Sequence, residues 1–371
     1  MKVLFAGGGT GGHINPAISI ANYAKTKDPD FEALFVGTQG GLEKKLVPAA
    51  GYPLEFIDIQ GFSRKNMLKN IEVVRKLMRA QKDCRKILKA FQPDCVVCTG
   101  GYVSGPVAIA AKKEGIPALI HEQNVYPGLT VKGAEKYVDY VAVSFEETIN
   151  HMKQREKCVV TGNPIRSEIL AARYGSARSA LGLSEKPFVL IFGGSLGADR
   201  INDTVVGMLG QLIEDKKIQL LFGTGDRNYE RIMEQVQDKG IKLPEDIKIV
   251  PYINDMHLAM AAADLVIARS GAITVSEIAA LRKPSILIPS PNVVRNHQEQ
   301  NAREFEQRGA AAVITEAELS PEGLYHKMVG MIENKKALAD MAAELKQLAK
   351  TDALEQIYGL MENMALKKNN N

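Results

Sequence analysis

The chain has 371 residues, with 47 Lys+Arg against 43 Asp+Glu and a formal net charge of +4. That length exceeds one ordinary core and predicts two domains of roughly 150–200 residues each. Composition, at 45% hydrophobic and 24% charged, excludes collagen-like, coiled-coil and wholly disordered classes. The near-neutral total argues against a broad nucleic-acid-binding face, and four cysteines exclude a disulfide scaffold. The opening MKVLFAGGG breaks at glycine before the roughly 7–15 apolar residues of a secretory signal. No stretch approaches the roughly 18 apolar residues of a spanning helix. A cytosolic location is the expectation.

In chain order, short β-branched runs alternate with longer helical patterns. Strands are predicted at Lys2–Ala6, Ala33–Val36, Leu54–Ile57, Asp94–Cys98, Ala118–Ile120 and Tyr140–Val143. A second set follows at Val189–Phe192, Gln219–Phe222, Ile247–Val250, Leu265–Ala268, Ser285–Ile288 and Ala311–Ile314. Unalternating apolar runs such as VLFA and VVC suit strands covered on both faces, the mark of parallel sheets with helices on either side. The fold class is therefore α/β, as two doubly wound domains. The expected boundaries are 1–162, 163–345 and a closing segment 346–371, with the punctuated TGNPIR (Thr161–Arg166) as the connection. Helical pattern over Lys335–Leu366 is expected to return to the first domain, and the tail KKNNN to be disordered.

Each half opens with strand, glycines, helix. Gly7-x-Gly9-x-x-Gly12 formally matches a dinucleotide fingerprint, but the second strand ends Gly37-Thr38-Gln39, without the acidic residue that holds a ribose. Five glycines within Gly7–Gly12 let a ligand approach the backbone at a helix N-terminus, where free N–H groups favour negative charge. His13 follows them. The positive end of the helix dipole favours the neutral imidazole, a competent general base. TGGYVSGP (Thr99–Pro106) is a second such loop and suggests a diphosphate or similar group. His121-Glu122-Gln123-Asn124 follows the fifth strand. A buried Glu122 there needs partners, so catalytic and scaffolding roles both stand for His121 and Glu122, and Asn124 is a candidate ligand contact.

In the second half, GGSLGA (Gly193–Ala198) offers N–H groups and the Ser195 hydroxyl to a phosphate, and Arg166 a bidentate cation. Glu277, in RSGAITVSEIAAL, lies near a helix start and suits a vicinal diol. The amides of NHQEQN (Asn296–Asn301) suit hydroxyl recognition. Asp28-Pro29-Asp30 reads as a solvated turn rather than a metal site. No His/Cys cluster has zinc spacing. Cys95-x-x-Cys98 lies within a buried strand and does not read as a redox motif.

Arg64–Lys89 holds ten basic residues and two acids, a local +8 that leaves the rest of the chain at −4. Apolar residues interleave at helical spacing. Such a segment suits an anionic lipid surface, with Lys69, Arg75, Leu77, Met78, Arg79, Lys82, Arg85 and Lys86 as its contacts. A solvated helix face over the core is the alternative. Nucleic acid lacks the aromatics that would stack bases.

The ordered set GGGTGGH, TGGYVSGP, HEQN, TGNPIR, FGGSLGA, RSGAITVSE and NHQEQNA resembles the MurG family, the bacterial peptidoglycan N-acetylglucosaminyltransferases, over about Lys2–Leu348. The resemblance implies the GT-B fold, two Rossmann-like domains facing a cleft. It also implies inverting transfer of N-acetylglucosamine from UDP-N-acetylglucosamine to the C4 hydroxyl of the N-acetylmuramyl unit of lipid I, giving lipid II. By the motif match, Ser195 and Arg166 face the UDP phosphates, with Ala272 and Ile273 close by. Glu277 holds the ribose, Ile253 the uracil through its backbone, and Gln298 the sugar hydroxyls. Thr10, Gly11, Gly12 and Asn124 meet the sugar and acceptor. The acceptor side further takes in Gly9, Gly100, Gly101, Tyr102, Ser104 and His121. His13 is the expected base, with Glu122, acting through His121, its rival. No cofactor and no metal are expected, and the location becomes the cytoplasmic face of the cell membrane, peripherally. Another lipid acceptor for a GT-B enzyme, or epimerisation of UDP-N-acetylglucosamine, are the alternative functions.

Overall fold

The computed structural model describes residues 1–59, 69–194 and 196–369. The chain divides into two compact units, Met1–Ile165 with Thr351–Asn371, and Arg166–Lys350.

Unit 1 carries a seven-stranded parallel sheet. Its strands are β1 (Lys2–Gly7), β2 (Glu32–Gly37), β3 (Leu54–Phe56), β4 (Cys95–Gly100), β5 (Ala118–Glu122), β6 (Tyr140–Val143) and β7 (Cys158–Val160). Their order is β3-β2-β1-β4-β5-β6-β7. Helices α1 (Gly11–Lys27), α2 (Glu43–Ala49), α3 (Lys69–Phe91) and α4 (Gly101–Lys113) connect the first five strands. The core lies on both faces of the sheet: Val3, Phe5, Cys95 and Val97 pack on one side, and Leu4, Val96 and Cys98 on the other. This is why these strands read as unbroken apolar runs. It also separates the two thiols of the C-x-x-C onto opposite faces. Burial pushes the Cys98 thiol up to about 12, and raises Cys95 as well.

Unit 2 carries a six-stranded parallel sheet of β8 (Phe188–Phe192), β9 (Gln219–Gly223), β10 (Ile247–Val250), β11 (Leu265–Ala268), β12 (Ser285–Leu287) and β13 (Ala312–Val313). The order is β10-β9-β8-β11-β12-β13. All strand pairs in both sheets are parallel.

Three details depart from expectation. β7 was not anticipated: it is three half-buried residues at a sheet edge, too short for a periodic signal. The stretch 335–366 forms two helices, Lys335–Leu348 and Ala353–Asn369, interrupted at 349–352, and the division between the units falls in that interruption. The second helix buries Ile357, Met361 and Met364 against unit 1. The tail is also more ordered than expected through residue 369. Lys367 Nζ donates to Tyr140 Oη at 3.3 Å and Lys368 Nζ to the Pro93 carbonyl at 2.7 Å, so these lysines anchor a helix end. Residues 370 and 371 lie outside the described residues.

Candidate active site

In each sheet the strand order reverses once, between β1 and β4 in unit 1 and between β8 and β11 in unit 2. Loops leaving the carboxyl ends of such strands diverge and open a crevice, the binding position of doubly wound folds. The glycine-rich motifs fall there.

In unit 1, β1 ends at Gly7 and α1 begins at Gly11. The His13 and Ile14 amides both donate to the Thr10 carbonyl, at 3.1 and 3.2 Å. His13 Nδ1 lies 3.2 Å from the Gly8 carbonyl oxygen and 3.3 Å from Thr10 Oγ1. A carbonyl only accepts, so Nδ1 carries a proton, and Nε2 is the nitrogen left to gain or lose one. Gly100 backs that ring: a Cβ there would stand 2.7 Å from His13 Cδ2 and 3.0 Å from Nε2. Gly101, at φ +75°, would place a Cβ 2.2 Å from the Gly8 carbonyl. Gly101 is required because the two loops touch backbone to backbone there, and Gly100 because it sits at φ +105° against the His13 ring. Thr99 Oγ1 closes the junction by donating to the His13 carbonyl at 2.7 Å. Thr10 and Gly12 are exposed and Gly11 half-buried, on the outer side of this turn. The Tyr102 ring covers Gly9, whose Cβ would lie 3.1 Å from its Cε1.

Two residues expected to meet the acceptor do not present themselves. Ser104 is fully buried. Its hydroxyl accepts from the Gly100 amide at 3.0 Å and lies 2.8 and 2.7 Å from the Ala6 and Gly100 carbonyls, pinning the turn from inside. His121 is also fully buried. Its Nε2–H donates to the Gly162 carbonyl at 2.9 Å and its Nδ1 accepts from Gln123 Nε2 at 3.0 Å, which saturates a neutral imidazole. A polar residue after a buried strand points to a site or into a hydrogen-bonded core, and sequence alone does not separate the two.

Burial depresses the His121 pKa to about 4. The unfolded chain therefore binds a proton between about pH 6.5 and 4 that the folded chain refuses. Stability falls as pH drops through that window, by about 3 kcal/mol from this group. Denaturant unfolding at stepped pH should show a shallower loss between about pH 6.5 and 4 in His121→Asn than in the parent chain. An unchanged slope would contradict the buried neutral ring.

Glu122 is 2% exposed. Its Oε1 accepts from the Asn124 amide at 2.9 Å and from Asn124 Nδ2 at 3.1 Å; its Oε2 accepts from the Gly128 amide at 2.7 Å. Burial raises its pKa and these hydrogen bonds oppose the rise. Both oxygens thus hold the turn 124–128, which also fixes the Asn124 amide. Sequence reasoning missed Glu43, the first residue of α2 and fully buried. It reaches back to the first glycine loop, as the Gly9 amide donates to its Oε2 at 3.0 Å.

In unit 2, Arg166 and Glu277 meet each other. Arg166 Nε and Nη2 both donate to Glu277 Oε1, at 3.1 and 3.0 Å. Among the described residues nothing donates to Glu277 Oε2. Glu277 is 5% exposed; burial raises its pKa, and the Arg166 charge pulls it back. Ala272 and Ile273 open the helix Ala272–Ala280 that carries Glu277. Ile253 packs on Gly223 at the end of β9, where a Cβ would come within 2.9 Å of its Cδ1. Gln298 Oε1 accepts from the Ser290 amide at 2.9 Å, and its carbonyl accepts from Ser270 Oγ at 2.7 Å.

A cavity of about 700 Å³ gathers part of this set. Gly193, Gly194, Gly197 and Gln298 line it, together with Arg200, Arg227 and Arg269. Arg269 is paired with Glu316. Ser195 lies outside the described residues. Arg227 was not anticipated, although its loop GTGDRN after β9 repeats the strand–glycine signal of the other sites. Three guanidinium groups around a glycine loop suit a diphosphate.

Residues 75–91 of α3 are amphipathic as expected. Ala80, Cys84 and Leu88 are buried, while Arg75, Met78, Arg79, Lys82, Arg85 and Lys86 are exposed. Leu77, expected at the lipid surface, instead packs on the core, because it falls one turn before Ala80 and two before Cys84 on the inward stripe. Arg85 and Lys89 pair with Glu114, and Lys86 with Asp83. The side chain of Lys69, and all of residues 60–68, lie outside what is described. Asp28 Oδ1 accepts from the Asp30 amide at 2.9 Å, the turn expected of DPD. No helix among the described residues is long and apolar enough to cross a membrane.

Known proteins resemble the whole chain. Residues 3–143 match the glycosyltransferase family 28 N-terminal domain, and 188–357 its C-terminal domain. A protein of Acetivibrio thermocellus named UDP-N-acetylglucosamine–N-acetylmuramyl-(pentapeptide) pyrophosphoryl-undecaprenol N-acetylglucosamine transferase is 46% identical over 369 residues, covering 99% of each chain. A protein of the same name from Caldanaerobacter subterraneus is 47% identical, covering 98% of this chain and 100% of its own. The crystal structure of MurG from Acinetobacter baumannii aligns with TM-score 0.78 at 28% identity, over 98% and 99% of the two chains. A UDP-N-acetylglucosamine 2-epimerase from Neisseria meningitidis shares the fold at TM-score 0.68 and 14% identity. Two doubly wound parallel units with both family domains are the GT-B architecture, and the chain belongs to glycosyltransferase family 28.

Proposed function

We propose that this chain transfers N-acetylglucosamine from UDP-N-acetylglucosamine to the C4 hydroxyl of the N-acetylmuramyl unit of lipid I, with inversion, giving lipid II and UDP. The observation that carries the reading is the match at 46–47% identity, over nearly the full length, to proteins named as that transferase.

The chemistry needs a base for the acceptor hydroxyl and positive charge for the departing diphosphate. His13 Nε2 takes the hydroxyl proton as the oxygen attacks the anomeric carbon. The bond from that carbon to the UDP oxygen breaks, and its electron pair leaves with UDP. The tautomer fixed by the Gly8 carbonyl supports this role. Unit 2 binds the donor: Glu277 Oε2 accepts from a ribose hydroxyl, Arg166 and Arg227 face the diphosphate, and Gln298 orders the sugar. Ile253 meets the uracil, while Ala272 and Ile273 bring helix N–H groups to the phosphates. Thr10, Gly11, Gly12 and Asn124 meet the sugar and acceptor, and Gly9, Gly100, Gly101 and Tyr102 shape the acceptor side. Glu122 acts by holding the Asn124 turn.

Incubation with UDP-N-acetylglucosamine and lipid I should give a disaccharide-lipid product and UDP in equal amounts. Consumption of the donor without acceptor would instead indicate epimerisation, and absence of product would sink the reading.

The exposed face of α3 docks on the anionic cytoplasmic face of the cell membrane. Replacing Lys82, Arg85, Lys86 and Lys89 with Gln should weaken binding to anionic vesicles at low salt by roughly ten- to a hundredfold, since each basic residue near the surface contributes about 1 kcal/mol and three of the four share carboxylate partners. Unchanged co-sedimentation would refute the docking face.

A further inference from the structure

Glu43 lies outside the mechanism above, and it is a buried carboxylate beside the proposed base. Among the described residues three donors face it and no acceptor: the Thr38 amide at 2.9 Å and Thr38 Oγ1 at 2.8 Å on Oε1, and the Gly9 amide at 3.0 Å on Oε2. The Gly9 N–H belongs to the same peptide unit as the Gly8 carbonyl, and that carbonyl accepts from His13 Nδ1. One peptide group therefore joins carboxylate to imidazole, with N–H toward Glu43 and C=O toward His13. Peptide resonance makes this a through-bond arrangement. Negative charge at the N–H end draws that proton, increases electron density on the carbonyl oxygen, and strengthens the bond from Nδ1–H.

We propose that Glu43 is a positioning residue for His13, acting through the Gly8–Gly9 peptide to hold the proton on Nδ1 and to stabilise the imidazolium formed when Nε2 takes the acceptor proton. The proposal rests on His13 being the base. It gives the carboxylate of a Ser-His-Asp-type site an equivalent placed one peptide further away. The local packing leaves little alternative. A Cβ at Gly8 would lie 2.9 Å from Glu43 Oε1, so the loop is seated directly on the carboxylate. The ring meets the Gly8 carbonyl and Thr10 from its own loop and Gly100 from the end of β4. The titratable groups seated against this loop include Glu43 from α2 and Tyr102 from α4, whose ring covers Gly9 and whose hydroxyl is 3.5 Å from Thr38 Oγ1.

The test is the imidazole titration of His13, read by NMR on the free, selectively labelled full chain. Glu43→Gln removes the charge, and the His13 midpoint should fall by at least roughly half a pH unit, a threefold loss of proton affinity. Thr38→Ala removes hydrogen bonds and leaves the charge, so it should lower the melting temperature without lowering the midpoint. In transfer assays Glu43→Gln should lower kcat with little change in either KM, and move the acid limb of the pH profile down. A midpoint unchanged in Glu43→Gln, or lowered equally by Thr38→Ala, overturns the relay. If Glu43→Gln does not fold, Glu43→Asp carries the same readout: the shorter carboxylate withdraws from the Gly9 amide, and the midpoint should fall less but measurably. A midpoint unmoved there overturns the proposal too. The titration needs no substrate, so its failure leaves the transferase reading intact. Normal transfer by a His13→Ala chain would defeat the base assignment whatever the titration shows.

Discussion

Replacing His13 with alanine should lower kcat for transfer to lipid I by about 10²–10⁴-fold, the range of a positioned general base. The loss should fall on kcat, because the donor-binding groups proposed for unit 2 are untouched and the variant removes an interaction made as the hydroxyl proton departs. The fold should survive. His13 is half-buried, and its side chain bonds to Gly8 and Thr10 of its own turn. Gly100, which has no side chain to lose its support, backs the ring. Initial rates at saturating donor, with a melting curve as control, check this. A variant that keeps more than about a tenth of the parent rate would lack the deficit expected on removing a base.

The second large effect is expected at Glu277. Alanine there should raise the KM for UDP-N-acetylglucosamine, and the Kd for UDP alone, by about 10–100-fold, as loss of a hydrogen bond to a charged group costs about 1.5–3 kcal/mol. It also releases Arg166, whose Nε and Nη2 both converge on Glu277 Oε1. Glu277→Gln keeps the shape and an acceptor oxygen but weakens the hold on Arg166, so it should fall between. The signature is a change in KM at nearly constant kcat, since the ribose is bound alike before and during reaction. A fall in kcat at unchanged KM would place Glu277 at the reacting centre and contradict a ribose role.

The sheets and the glycine loops were legible in the sequence because both are local. Val3–Phe5 and Val189–Ile191 are short and apolar without alternation, which together with the glycine runs that follow marks doubly covered strands and the turns at the switch points. Much of the site was not legible, because its partners are distant in sequence or hidden by burial. Glu43 lies 34 positions from the Gly9 amide it binds, and nothing in its neighbourhood sets it apart from a helix-opening glutamate. Arg166 and Glu277 are 111 residues apart, so their pairing emerges only from the fold. Ser104 and His121 carry ligand-type side chains, yet their polar atoms are saturated inside the protein. Leu77 belongs to an amphipathic pattern whose phase is set by Ala80, Cys84 and Leu88; two of these are small enough to be overlooked as core. Lys367 and Lys368 read as part of a disordered tail, and are instead held by Tyr140 and Pro93.

The central claim is a single displacement with His13 as base, and the stereochemistry of the product tests it most directly. Transfer from the α-linked donor should give a β-1,4 linkage in the disaccharide-lipid, read from the anomeric proton by NMR. An α linkage would mean net retention, through two displacements or same-face substitution, and would contradict the account.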